Sequence, residues 1–187
     1  RTGLYKSTIL RLLASLERFR CVERQADGSW ALGPALFHWG TLYRSGATFG
    51  PMVSEHLERL ANAAGESATF WVPQGDTRLC VFRVAAPGLT TVCAMPGEHR
   101  PLQQGVSGAV LSSGGQELQD GVVTGIACPS VDDIAVSAPV FGVDGELRGA
   151  MTLLGPMERL GMRIDHIKPM VRDAAADLSR ALAASRR

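Results

Sequence analysis

Apolar side chains recur at Ile9, Leu12, Leu13 and Leu16, an i, i+3, i+4, i+7 spacing that predicts an amphipathic helix after the Gly3 turn. The same helix sets Ser7, Arg11, Ala14 and Arg18 on another face. Residues 21–33 read as two short strands about Asp27-Gly28, a strong hairpin signal because both central residues must tolerate positive φ. A helical pattern then covers 32–44, with Leu36, Phe37, Trp39, Leu42 and Tyr43 as a broad apolar surface, until Gly46 and Gly50-Pro51 break it. Another helix follows. Met52, Val53, Leu57, Leu60, Ala61 and Ala64 form its inward side, and Gly65 stops it.

From Glu66 the texture becomes β. Residues 67–72 and 77–84 predict strands joined by the turn cluster 73–76, and residues 89–95 predict a third strand ended by Pro96-Gly97. A helix is expected around 104–111 and a strand near Val122. Residues 134–141 and 147–154, the most apolar strands, flank a second Asp-Gly turn at Asp144-Gly145. Pro139 lacks a backbone donor, so its strand is expected at an edge or locally bulged. Ile164, Ile167, Met170, Val171, Ala174, Ala175, Leu178 and Leu182 mark a long terminal helix. Helices against one antiparallel sheet make an α+β fold.

Composition narrows the class. With 187 residues, 45% hydrophobic and 20% charged, the chain has material for one medium and one small globular domain. It holds no run of 18 uninterrupted apolar residues, so no membrane partner is expected, and its start does not resemble a signal peptide. Cys21, Cys80, Cys93 and Cys128 are scattered without a C-x-x-C pair, which argues against structural zinc and for reduced thiols in cytoplasm. Charge is uneven. Residues 1–24 carry six basic and two acidic side chains, whereas the whole chain is only +1, so positive charge gathers where a polyanion would bind. Short polar and basic residues at the start of the first helix suit a DNA major groove, and Arg24, Gln25 and Ser29 at the hairpin tip can reach phosphates. On the first helix alone, an ordinary amphipathic surface helix explains the spacing equally well.

The run Thr2-Gly3-Leu4-x-Lys6-Ser7-Thr8-x-x-Arg11-Leu12-Leu13-x-x-Leu16-Glu17 resembles the recognition helix of IclR-type transcriptional regulators. The likeness continues in Val22-Glu23-Arg24, Leu32-Gly33-Pro34, Gly65-Glu66-Ser67, Pro101-Leu102, Ala138-Pro139-Val140-Phe141 and Gly155-Pro156, in the family's order over nearly all of the chain. The resemblance implies part of a winged helix-turn-helix over 1–33, truncated because its two supporting helices are not in this sequence. A linker helix over 34–48 and a GAF-like effector-binding domain over 49–187, an antiparallel sheet with flanking helices, complete the expectation. It also implies pairing of copies near the apolar linker, as a homodimer or a dimer of dimers; packing within one subunit is the alternative. Where the family carries a longer helical stretch, only residues 112–121 stand here.

For DNA the expected contacts are Lys6, Ser7, Thr8, Arg11, Arg24, Gln25 and Ser29. For the effector, the family pattern falls on Leu89, Val92, Val106, Ser107, Asp133, Ala135, Thr152 and Leu154. Free N–H groups at a helix start favour an anion, and the Ser107 and Thr152 hydroxyls could complete a carboxylate site. No Arg or Lys is expected to point inward, and Ser107 reads equally well as a helix cap. Leu154 stands where the family commonly has a polar residue, which points to a more apolar ligand. Catalysis is not expected. Gly105-Val106-Ser107-Gly108-Ala109 lacks the last glycine of G-x-S-x-G and follows a loop rather than a strand, and His38, His56, His99 and His166 have no paired ligand spacing. Neither a cofactor nor a metal is expected. The expectation is a DNA-binding regulator whose hold on a duplex operator is set by a small organic or aromatic acid; the alternative is a ligand-sensing module that does not itself bind DNA.

Overall fold

The computed structural model describes residues 2–45, 49–86, 94–116, 118–128 and 132–185, without the Cys128 side chain. The chain divides into two compact units, residues 1–46 and 47–187.

The first unit opens with helix α1 (Lys6–Arg18). Its C-terminus is closed by Arg20 at φ 55°, with the Arg20 amide donating to the Glu17 carbonyl at 2.8 Å and Cys21 to Leu16 at 2.9 Å. That pairing satisfies the last carbonyls of the helix and turns the chain toward the hairpin. Strands β1 (Val22–Arg24) and β2 (Trp30–Leu32) pair antiparallel, Arg24 opposite Trp30. The expected Asp27-Gly28 turn is present: Gly28 has φ 83°, its amide donates to the Gln25 carbonyl at 2.9 Å, and the Asp27 carboxylate accepts the Ser29 amide at 2.9 Å. Helix α2 (Pro34–Ser45) starts on a proline, whose fixed φ suits a first helical turn. The apolar stripe of α1 is not buried as its spacing predicts. Leu12 is 50% and Leu16 44% exposed, and no residue of α1 or α2 is buried. Burial needs an element lying across the stripe, and the described residues of this unit supply only a two-stranded hairpin and one further helix.

The second unit is α+β. Helix α3 (Phe49–Ala64) is followed by β3 (Ser67–Gln74), β4 (Thr77–Val84), β5 (His99–Pro101), α4 (Gly105–Ser112), β6 (Val123–Cys128), β7 (Asp133–Phe141) and β8 (Leu147–Pro156). The short α5 (Met157–Leu160) and the long α6 (Ile164–Ala184) close it. Six antiparallel strands lie in the order β5-β4-β3-β8-β7-β6. One face is covered by α3 and α6. Their predicted stripes supply the core residues Val53, Leu57 and Leu60 and Ile167, Val171 and Leu178, packed with Phe70, Val136, Met151 and Leu153 from the sheet. Burying each large aliphatic or aromatic chain contributes roughly 1.5–3 kcal/mol. Helix α4 lies on the other face, against Trp71, Cys80 and Ala150 and against Ala135 and Leu154.

Two irregularities position the site. Phe70 pairs with Phe82 but the next residue, Trp71, pairs with Cys80, so Val81 is an extra residue in β4. The bulge puts Cys80 and Arg78 on the α4 side with Trp71, while Phe82 stays with Phe70 in the other core. Pro139 sits where the pattern asks: β6 last pairs at Ser137, so β7 runs beyond it with one neighbour, and a register shift follows at Val140/Phe141. The expected strand over 89–95 falls mostly on residues 87–93, outside the described ones, and β4 is flanked on the side away from β3 by β5. In the shortened segment, Gly115 has φ 73°, and a side chain there would strike Pro139 and Phe141. Among the described residues no helix is long and apolar enough to cross a membrane.

Candidate functional site

Helix α1 and the hairpin carry every residue expected at DNA. Lys6, Ser7 and Arg11 are exposed on α1 with Thr8 half-buried beside them, and Arg24, Gln25 and Ser29 are exposed at the hairpin end. The Gln25 amide donates to the Ser29 carbonyl at 2.8 Å, which fixes the tip. Tyr5 precedes the first turn of α1 and gives it no side-chain cap, so its early N–H groups are open to an outside acceptor. None of Lys6, Arg11 and Arg24 takes part in an ion pair among the described residues. Cations held by no internal carboxylate are free to meet phosphate.

In the second unit a cavity lies between α4 and the sheet. Val106, Ser107, Ala135, Thr152 and Leu154, five of the eight residues expected at the effector, border it together. The sequence spacing explains the convergence. Ala135 pairs with Leu154 and Ser137 with Thr152 on neighbouring strands, so alternate residues of β7 and β8 face α4. Ser107 is 4% exposed and is the third residue of α4; the cap position belongs to Gln104, which makes no side-chain capping bond. Leu89 and Val92 lie outside the described residues. Asp133 is buried but does not border the cavity. It stands two residue pairs beyond Ala135 and Leu154, opposite Pro156, at the start of β7.

A polar row crosses the floor. Trp71 Nε1 donates to Thr69 Oγ1 at 3.0 Å, Thr69 Oγ1 donates to the Thr152 carbonyl at 3.4 Å, and the Ser137 and Thr152 hydroxyls share a hydrogen bond at 2.8 Å. Ser137 also reaches the Met151 carbonyl at 3.3 Å. Either hydroxyl of the pair can donate, so Thr152 can offer the cavity a proton or a lone pair.

Contrary to the sequence reading, a cation does point inward. Arg78 borders the cavity and is 3% exposed. Its Cζ stands 5.0 Å from the Trp71 ring centroid, and Arg100 stands 5.6 Å from the same ring. Arg78 Nη1 donates to the Pro101 carbonyl, but Nε is buried with no partner among the described residues. Burial first, and then the charge of Arg100, bring the Arg78 guanidinium down to about 10. Arg100 is held by Glu98, Nε to Oε1 at 2.7 Å. The signal for Arg78 lay in its phase with Cys80, but the bulge at Val81 decides which face that phase reaches, and nothing in the sequence announces it.

Asp133 belongs to a different cluster. Glu66, fully buried, accepts from Arg159 Nε at 2.6 Å and Nη2 at 2.8 Å. Burial, with the Glu66 charge next, raises the Asp133 carboxyl above its ordinary range, and its Oδ2 has no hydrogen-bond partner among the described residues. Among the described residues no three His, Cys, Asp or Glu side chains cluster as a metal site.

No family model matches the chain. It is 20% identical to the HTH-type transcriptional regulator KipR of Bacillus subtilis (strain 168) over 96% of its own length and 85% of that protein. A Silicibacter chain assigned as an IclR transcriptional regulator superposes with TM-score 0.81 at 18% identity, covering 97% of this chain and 85% of that one. The IclR transcriptional regulator of Alicyclobacillus acidocaldarius gives 0.71 at 19% identity, over 96% and 86%. Thermotoga maritima IclR gives 0.62 at 15% identity, over 97% and 87%. The resemblance read in the sequence is met in three dimensions: this chain has the fold of the IclR-family transcriptional regulators.

Proposed function

We propose that the chain is an IclR-family regulator that binds duplex DNA through its first unit and answers to a small organic acid bound in its second. The observation that carries this is the exposed cationic helix, with Lys6, Ser7 and Arg11 on its open side and Arg24 at the hairpin tip. In this reading α1 enters the major groove, the hairpin rests on phosphates, and the cavity under α4 takes the effector. Leu89, Val92 and Asp133 remain part of the proposed effector surroundings, beside the residues that border the cavity. Two copies pair through the apolar side chains of α2, where Phe37 is 83% and Trp39 51% exposed. Their heads then read half-sites about one helical turn, or a multiple, apart. Linkage requires that DNA alter effector affinity by the same factor as the effector alters DNA affinity. The regulator performs no catalysis and works in the cytoplasm.

The test is selection of duplexes from a random library by the full chain, followed by anisotropy titrations of the winning sequence. Arg11→Ala is expected to weaken binding about tenfold or more, as loss of one specific contact does. Equal affinity of both proteins, or no enrichment at all, rejects the assignment.

A further inference from the structure

Among the described residues, Arg78 has one further guanidinium, Arg100, and one carboxylate, Glu98, acting on its charge. Arg78 and Arg100 flank one face region of Trp71, and the carboxylate beside them, Glu98, is already bound to Arg100. The guanidinium also lies against the first turn of α4: a side chain at Gly108 would strike Arg78 Nη1 and the Leu102 carbonyl, and one at Gly105 would touch Nη2 at 3.4 Å. A helix start is itself the positive end of the helix, and α4 has no side-chain cap. A buried cation stacked on such an end is unfavourable unless an anion completes the site.

From this we infer that Arg78 is the residue that selects the ligand's charge, and that the ligand is a short monocarboxylate whose planar head lies on the unpaired Nε edge of Arg78 beneath the start of α4. A guanidinium edge offers parallel N–H groups matched to the two oxygens of a carboxylate. Ser107 and Thr152 stand on the same cavity to hydrogen-bond the head, and Val106, Ala135 and Leu154 meet the tail. The cavity is about 20 Å³, room for roughly one water. Even a short acid therefore needs this space to widen on binding, and an aromatic one needs it to open further. The inference rests on the effector reading of this cavity and is independent of DNA binding.

The test uses the full chain with Trp30→Phe and Trp39→Phe, so that fluorescence reports Trp71 alone, and follows thermal unfolding in parallel. The probes are sodium acetate, pyruvate and benzoate, with acetamide and benzamide as neutral analogues and inorganic phosphate as a tetrahedral anion. Acetate or pyruvate is expected to shift the fluorescence saturably and raise the melting temperature, with the amides inert and phosphate and benzoate weaker. Arg78→Gln is expected to weaken the carboxylate about 30-fold or more, the loss of a charged hydrogen-bonding partner; Arg78→Lys should recover part of it. The acid–amide comparison needs no variant and decides the matter even if Arg78→Gln does not fold. Equal binding of acids and amides, binding unchanged in Arg78→Gln, or no response to any probe overturns the inference. A chain that binds carboxylate through Arg78 but enriches no duplex keeps this inference and loses the regulator assignment.

Discussion

Arg159 grips Glu66 with two parallel hydrogen bonds, at 2.6 and 2.8 Å, although Glu66 is fully buried and Arg159 half-exposed. The pair joins the start of β3 to α5, two segments more than ninety residues apart in the chain.

Removing the cation strands a buried carboxylate. Arg159→Ala is expected to cost about 2–3 kcal/mol, the lower end for a buried pair because one partner meets solvent. Urea unfolding at neutral pH measures it, and a cost under about 0.5 kcal/mol, the usual surface value, contradicts the assignment.

Asp133 gives a pH signature. Its carboxyl is held above the ordinary aspartate value of 3.8 by burial and then by Glu66, so the folded chain binds that proton more tightly than the unfolded chain does. Stability from this group is therefore lost as pH rises from about 3.8 through the raised value, and the penalty is complete above it. Asp133→Asn should raise the melting temperature at pH 7, with the advantage shrinking as the pH is brought down to that of an ordinary carboxyl. A pH-independent difference speaks against a charged Asp133.

The close approach at α4 leaves no room for a methyl group. Gly108→Ala must displace the helix from the Leu102 carbonyl and from Arg78, at about 1–3 kcal/mol. Denaturant titration reports the cost. A neutral substitution would mean that α4 packs less tightly than described.

Cys80 is fully buried, and its thiol is pushed up to about 12, by burial first and by Glu98 second. It should resist iodoacetamide at pH 8 in the folded chain and react only on unfolding, because the thiolate is the nucleophile. Peptide mass mapping with and without urea distinguishes the two; rapid labelling of native Cys80 would place it elsewhere.

At the hairpin, Arg24→Ala is expected to weaken all duplexes alike and to reduce the slope of log affinity against log salt by about 0.9, one phosphate's worth of counterions. Titrations from 50 to 200 mM salt provide the slope. A sequence-dependent loss would make Arg24 a base reader instead.

Periodicity carried the second unit a long way. Val53, Leu57 and Leu60 on α3 and Ile167, Val171 and Leu178 on α6 are buried where the 3.6-residue pattern put them, and both Asp-Gly turns formed. The pattern on α1 was equally clear, yet its stripe is only partly covered, with Ile9 and Leu13 half-buried and Leu12 and Leu16 exposed, because periodicity gives the direction of a face and not what lies across from it. Ala135, Thr152 and Leu154 were named beside Val106 and Ser107 through the family resemblance, and the alternate facing of β7 and β8 is the physical reason they border one cavity. Arg78 was not readable, since its face is set by a bulge, and β5 is a three-residue strand with too little pattern to register.

One surplus residue in β4 thus decides where a cation ends up. Were Val81 paired with Trp71 in unbroken register instead of bulged, the stretch before it would change faces and send Arg78 into the oily layer beneath α3 and α6; deletion of Val81 would leave Arg78 where it is. The unpaired step here acts as a sorting device, placing Phe82 and Arg78 in opposite layers although their even spacing along β4 would otherwise put them in one.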